Sequence, residues 1–236
     1  MRNLAAITQK ELKSFFASPI AYVVSAAFLA VAGFLFVMIL FITREASLRY
    51  LFGNLVVILF FIAPAISMRL LSEEFRSGSI ELLMTSPVHD WEVVWGKWFA
   101  ALGLFLAMVA LTLFYPLVLK LLGNPDWGPI ISGYIGLILM GSTMLALGEL
   151  TSSMTSNQIV AAILAVVFIL ILWLLDALAQ YTTPAIGSVF TNMALSSHYS
   201  DFMKGVIDTK DVLYFLSVIV GSLFLATQIL QSRRWR

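Results

Sequence analysis

Between Pro19 and Ile42 the chain carries no charged side chain, and a run of that length forms one helix across roughly 30 Å of hydrocarbon. Five further apolar runs follow, at about Leu51–Met68, Val93–Leu119, Ile130–Leu150, Ile159–Ala179 and Val212–Leu230. Backbone amides have no water to bind inside a bilayer, so segments this long cross it as helices. The expected fold is therefore all-α and polytopic, with six transmembrane helices. Composition agrees: 61% of the 236 residues are hydrophobic and 11% are charged, far from the mixture of a soluble domain. The first apolar run begins only after a polar stretch and is long enough to span, so it is expected to stay in the mature chain rather than act as a cleaved signal.

Several classes of chemistry are excluded at once. Cys 0 rules out thiol and disulfide chemistry, and His89 and His198 are too far apart in sequence to offer a zinc-ligand spacing. A net charge of +1 gives no electrostatic case for a nucleic-acid partner. No Ser-His-acid grouping is suggested. Gly96-Lys97 resembles the end of a phosphate loop, but G-x-x-x-x-G-K requires glycine where Trp91 stands, so the chain has no nucleotide cassette. Lys97 is expected to snorkel to the interface or to pair with an acid of the preceding loop. Glu149 and Asp176 lie near predicted span ends, where solvated or headgroup-facing positions are expected. Their placement toward opposite faces argues against a catalytic carboxylate pair.

The connections carry the remaining information. In residues 1–18, Leu4, Ile7, Leu12, Phe15 and Phe16 form a broad apolar face with Lys10 and Lys13 opposite, the pattern of a helix lying at the membrane interface. Thr8 and Glu11 intrude on that face, and a simple tether is the plainer alternative. Pro19 suits a first helical turn, Pro64 should bend the second span, and Trp91, Trp95 and Trp98 mark a membrane boundary. GNPDWGP and TSSMTSNQ read as short connections, Ala161, Ala162 and Ala165 as a ridge permitting close approach, and Asp208 as the cap of the last helix. Six spans put both termini on one side. Nine Lys/Arg residues fall there (Arg2, Lys10, Lys13, Arg69, Arg76, Lys97, Arg233, Arg234 and Arg236) and five opposite (Arg44, Arg49, Lys120, Lys204 and Lys210). The positive-inside rule then makes the termini and the loop between spans two and three cytoplasmic.

That loop is where charge concentrates, with eight charged side chains from Arg69 to Lys97. Ser77-Gly78-Ser79 breaks the preceding helix. Ile80, Leu83 and Met84 then share one face of a short helix, with Glu81 and Thr85 elsewhere. Pro87 ends it, and Asp90, helped by Glu92, is expected to cap the next helix. An ordinary wet connector needs no such apolar stripe, so Leu82, Leu83 and Met84 must be received by membrane, by this chain's own helices or by a partner.

The run EEFRSGSIELLMTSPVHDWEVVWGK resembles the cytoplasmic signature of ABC-2 type transporter permeases: acids before a glycine turn, Glu-Leu-Leu, Ser-Pro, and Gly-Lys opening the third span. KELKSFFASPIAYV and DVLYFLSVIVGSLFLATQILQSRRW look like the gliding-motility-associated branch. What this resemblance implies is one transmembrane domain over residues 1–236 in a bacterial inner membrane, exporting cargo or transmitting force. Its interface helix, 1–18, would use Lys10, Glu11, Lys13, Phe15 and Phe16. A coupling region, 69–92, would meet the ATPase through Glu73, Glu74, Gly78, Glu81, Leu82, Leu83 and Pro87; Ser79 stands where many relatives have threonine. The implied partners are two cytoplasmic ABC ATPase subunits that bind ATP and Mg, a second permease copy or a different permease half, and an accessory subunit in the membrane or periplasm, with no cofactor in this chain. Two other functions compete: an ion-coupled secondary transporter, which would need polar sites near midmembrane, and a scaffold of an envelope complex that transports nothing.

Overall fold

A computed structural model describes residues 2–80 and 88–234, and its regular elements are helices throughout. They are α1 (Arg2–Ala17), α2 (Pro19–Thr43), α3 (Arg49–Ser67), α4 (Ser72–Ser77), α5 (Asp90–Thr112), α6 (Phe114–Leu122), α7 (Trp127–Met154), α8 (Gln158–Ala179), α9 (Pro184–Met193), α10 (Leu195–Met203) and α11 (Thr209–Arg234). Six stretches are long and apolar enough to cross a membrane: α2, α3 with α4, α5 with α6, α7, α8 and α11.

The bundle is organised around α7, which packs against α3, α5, α8, α10 and α11 and is buried over most of its length. Small residues let it do so. A Cβ on Gly148 would lie 1.9 Å from Ser67 Oγ of α3, so only glycine allows this approach. Ala161 and Ala165 of α8 are fully buried, which fits the close approach read from their spacing. In contrast, α2 and α8 expose large apolar side chains such as Phe34, Phe41, Ile159 and Ile163, the surface of a helix facing lipid rather than water.

Proline acts differently in two of the spans. Helix α3 continues past Pro64, and Met68 N donates to Pro64 O at 2.8 Å. The third span breaks between α5 and α6, where Pro116 has no N–H to offer the carbonyl of Thr112 four residues earlier. Tyr134 Oη on α7 takes that place, donating to Thr112 O at 2.8 Å.

Helix starts follow local chemistry. Pro19 occupies the first turn of α2, Asp126 accepts from Gly128 N at 3.1 Å to begin α7, and Asp208 accepts from Lys210 N at 3.0 Å to begin α11. The cap of α5 differs from expectation. His89 holds the N-cap position, Asp90 is the first helical residue, and Glu92 reaches back to accept from His89 N at 3.1 Å. A carboxylate at the third helical position reaches the cap amide that one at the first cannot.

One connection is also corrected. Thr151, Ser152 and Ser153 belong to α7 and are buried, so only Thr155–Asn157 separates α7 from α8. The polar interval 180–211 contains α9 and α10, and Tyr199 and Phe202 of α10 are fully buried against the bundle. Tyr199 Oη donates to Phe52 O at 3.2 Å and Ser132 Oγ to Phe202 O at 2.7 Å, closing the end of the bundle opposite the termini.

Candidate functional site

Helix α1 packs along α5, and the turn of 3.6 residues decides which side chains meet it. Leu4, Ile7, Thr8, Glu11, Leu12 and Phe15 fall on the covered side, while Lys10, Lys13 and Phe16 are exposed. Phe15 is 3% exposed and Phe16 43%, so the two phenylalanines divide between core and surface. The helices touch at Gly96, whose added Cβ would lie 2.9 Å from Ile7 Cγ2. Thr8 Oγ1 lies 3.2 Å from Gly96 O and 2.9 Å from Leu4 O. The polar residues that intrude on the apolar face are therefore the ones that bind α5.

Lys97 follows Gly96 and is 2% exposed. Its Nζ lies 2.8 Å from Glu74 Oε1 of α4 and 3.3 Å from Glu11 Oε1 of α1, so one ammonium joins three elements. This realises the pairing with a loop acid and adds a partner from the N-terminal helix. Burial raises the Glu11 carboxyl, but the Lys97 and Lys10 ammoniums outweigh it and hold the group below the ordinary glutamate value of 4.5. Glu74 Oε2 is buried with no hydrogen-bond partner among the described residues.

Helix α4 is held from below by α7. Ser152 Oγ accepts from Leu71 N at 3.1 Å and Ser72 N at 3.0 Å, and donates to Met68 O at 2.8 Å. One hydroxyl thereby satisfies both sides of the joint between α3 and α4. Arg233 of α11 lies over the Phe75 ring at 4.3 Å and donates to Met154 O at 2.7 Å. Arg69 lies over Phe15 at 4.7 Å and donates to Ser18 Oγ at 3.3 Å. Both termini, α4 and the start of α5 thus meet at one end of the bundle. Between α1, α4 and α5 opens a cleft of about 450 Å³, bordered by Lys10, Glu11, Arg69, Glu73, Glu74 and Lys97.

Glu149 overturns its expectation of a solvated or headgroup-facing position. It is 0% exposed on α7, and neither carboxylate oxygen has a hydrogen-bond partner among the described residues; α7 runs on through Thr151–Met154, so the predicted end of the span is an interior position. Asp176 is half-buried. Of the remaining sequence candidates, Glu73 is exposed and Gly78 ends α4 at φ +73°, a left-handed conformation that glycine adopts without strain. Ile80 is buried. Glu81, Leu82, Leu83 and Pro87, with Met84 and Thr85, lie outside the described residues.

Residues 43–230 match the family described as ABC-2 family transporter protein. The chain belongs to that family. No curated protein matches it. As an ABC-2 permease-type subunit, the chain is the membrane part of an ABC transporter and works with ATPase partners. It has no Walker A sequence, and its described residues provide no β-strand from which such a loop could spring.

Proposed function

We propose that this permease domain, residues 1–236, couples ATP binding and hydrolysis on two cytoplasmic ATPase subunits to export, or to force transmission, across a bacterial inner membrane. Residues 69–92 act as the coupling region, residues 1–18 as the interface helix, and both termini face the cytoplasm. The observation that carries the reading is the Lys97 contact with Glu74 and Glu11 at 2.8 and 3.3 Å. A displacement of α4, which carries Glu73 and Glu74 and ends at Gly78, is felt at the first turns of the third span through the Glu74–Lys97 contact. Glu81, Leu82, Leu83 and Pro87 form the part that meets the ATPase. Lys10 and Lys13 lie among headgroups, with Phe15 and Phe16 anchoring α1 to protein and lipid respectively. A second permease, identical or different, completes the assembly, with an accessory subunit in the membrane or periplasm. The terminal motifs favour the gliding-motility-associated branch.

The test compares native protein with Glu81→Lys and Glu81→Gln. Reversing a desolvated charge contact costs about 2–5 kcal/mol at an interface, against less than about 1 kcal/mol at an exposed rim. Monomer yield in detergent should hold in both variants while ATPase co-purification and stimulated turnover fall, most in Glu81→Lys. Normal assembly and turnover in both would remove Glu81 from the coupling contact.

A further inference from the structure

Glu149 is a feature of the terminal end that coupling by contact leaves unexplained. A fully buried carboxylate with neither oxygen hydrogen-bonded among the described residues is costly as an anion and much less so as a neutral acid. The charges acting on it come from Lys97 on α5, Glu74 on α4 and Glu11 on α1. Lys97 is already committed to the two other carboxylates, so Glu149 is the third claimant on one ammonium. A flexible four-carbon stem allows that ammonium to choose among acids without backbone movement in α5.

We propose that Glu149 is a proton-binding site, protonated while Lys97 is held by Glu74 and Glu11 and released from its proton when Lys97 turns to pair with it. The exchange balances. One proton leaves Glu149 and one carboxylate, Glu74 or Glu11, is freed from the ammonium and takes it up. Those two acids border the cleft, and the freed one holds the proton at its edge. The net charge of the four groups is the same before and after. As a coupling device the exchange rests on the reading that the coupling region, 69–92, meets an ATPase, since pulling α4 away is what would release Lys97.

Infrared spectroscopy of the full chain in lipid nanodiscs tests the chemistry without any partner. At neutral pH the native protein should show a protonated-carboxyl stretch that is missing in Glu149→Gln. The same band should vanish in Glu11→Gln/Glu74→Gln, where Glu149 is the remaining acid for Lys97. A native protein without the band, or a band that survives undiminished in the double variant, overturns the proposal. Should the double variant not fold, Glu74→Gln alone should lower the proton affinity of the band by about tenfold or more, and an unchanged titration overturns the proposal equally. Stimulation of a co-purified ATPase by Glu149→Gln protein separates the two readings. If the infrared result holds but stimulation matches native protein, Glu149 binds a proton without serving coupling and the exchange fails as a coupling device. If no ATPase associates with native protein, the coupling reading fails while the proton site stands.

Discussion

The two ends of the bundle solve the burial of polar groups in opposite ways. At the terminal end, Glu11, Glu74, Lys97 and Glu149 come from four helices, and two ammoniums, buried Lys97 and exposed Lys10 beside Glu11, serve three acids. At the other end, His198 and Asp211 are near neighbours in sequence. His198 Nδ1 lies 2.6 Å from Asp211 Oδ1, its Nε2 3.1 Å from Asn192 O, and its ring stacks on Tyr214 at 3.9 Å. Tyr214 Oη donates in turn to Met193 O at 2.5 Å. This second network ties the α9–α10 pair to α11 through fixed main-chain acceptors, with only Asp211 Oδ2 left without a partner among the described residues of that network. A network with too few cations has alternative pairings, whereas one that ends on carbonyls has a single arrangement. The first suits a part that moves and the second a part that stays shut.

The comparison breaks most easily at Lys97. Lys97→Met leaves half-buried Glu74 without its cation and Glu11 with exposed Lys10 alone, and should cost about 3–5 kcal/mol; thermal unfolding in detergent and folded yield will show it. A native-like melt would mean that the cluster holds nothing together. Next in size is His198→Ala, which strands Asp211 in the interior and should cost about 1.5–3 kcal/mol, while ATPase association stays at the native level. Loss of association there would put a moving part at the end described as closed. Ser152→Ala strips partners from Leu71 N and Ser72 N, and about 1 kcal/mol of stability should go with faster hydrogen exchange at those two amides. Exchange rates equal to native would leave the α3–α4 joint independent of α7.

Acidification sharpens the contrast with the smallest effect. The Glu11 carboxyl is held below the ordinary value of 4.5 in the folded chain, so its contribution is complete above that value and is lost as pH falls through the lower, folded-state value. Comparing acid melts of native protein and Glu11→Gln isolates it. The variant should lack under about 1 kcal/mol of the native loss below pH 4.5, and identical acid profiles would show that the Glu11–Lys97 contact contributes nothing.

How far these features can be read from sequence depends on their range. The six spans are legible because each is set by its own run of apolar residues, and Pro19 and Asp208 sit at helix starts for reasons confined to one turn. The cluster is only half legible. Thr8 and Glu11 are visible as interruptions of an apolar face, but periodicity says that a face is covered, not that its cover is another helix carrying Gly96 and Lys97. Glu149 is harder still. Leu150 ends the apolar run, and nothing local distinguishes a helix that stops at the membrane surface from one that continues into protein as Thr151–Met154 does. The short helices α9 and α10 are hidden because Tyr199 and Phe202 are isolated among polar residues, and their burial depends on Phe52 and Ser132, far away in the chain.

The seating of α1 on α5 also constrains how the molecule is made. During synthesis α1 leaves the ribosome long before Gly96 and Lys97 exist, so Glu11 and Thr8 begin life without the groups they will bind. When the third span enters the bilayer, it brings an ammonium that membrane insertion disfavours, and a waiting Glu11 and Glu74 are the counter-charges that make its entry tolerable. The N-terminal helix is then an assembly factor covalently attached to its client, and shortening it should strand the third span during biogenesis rather than loosen a finished protein.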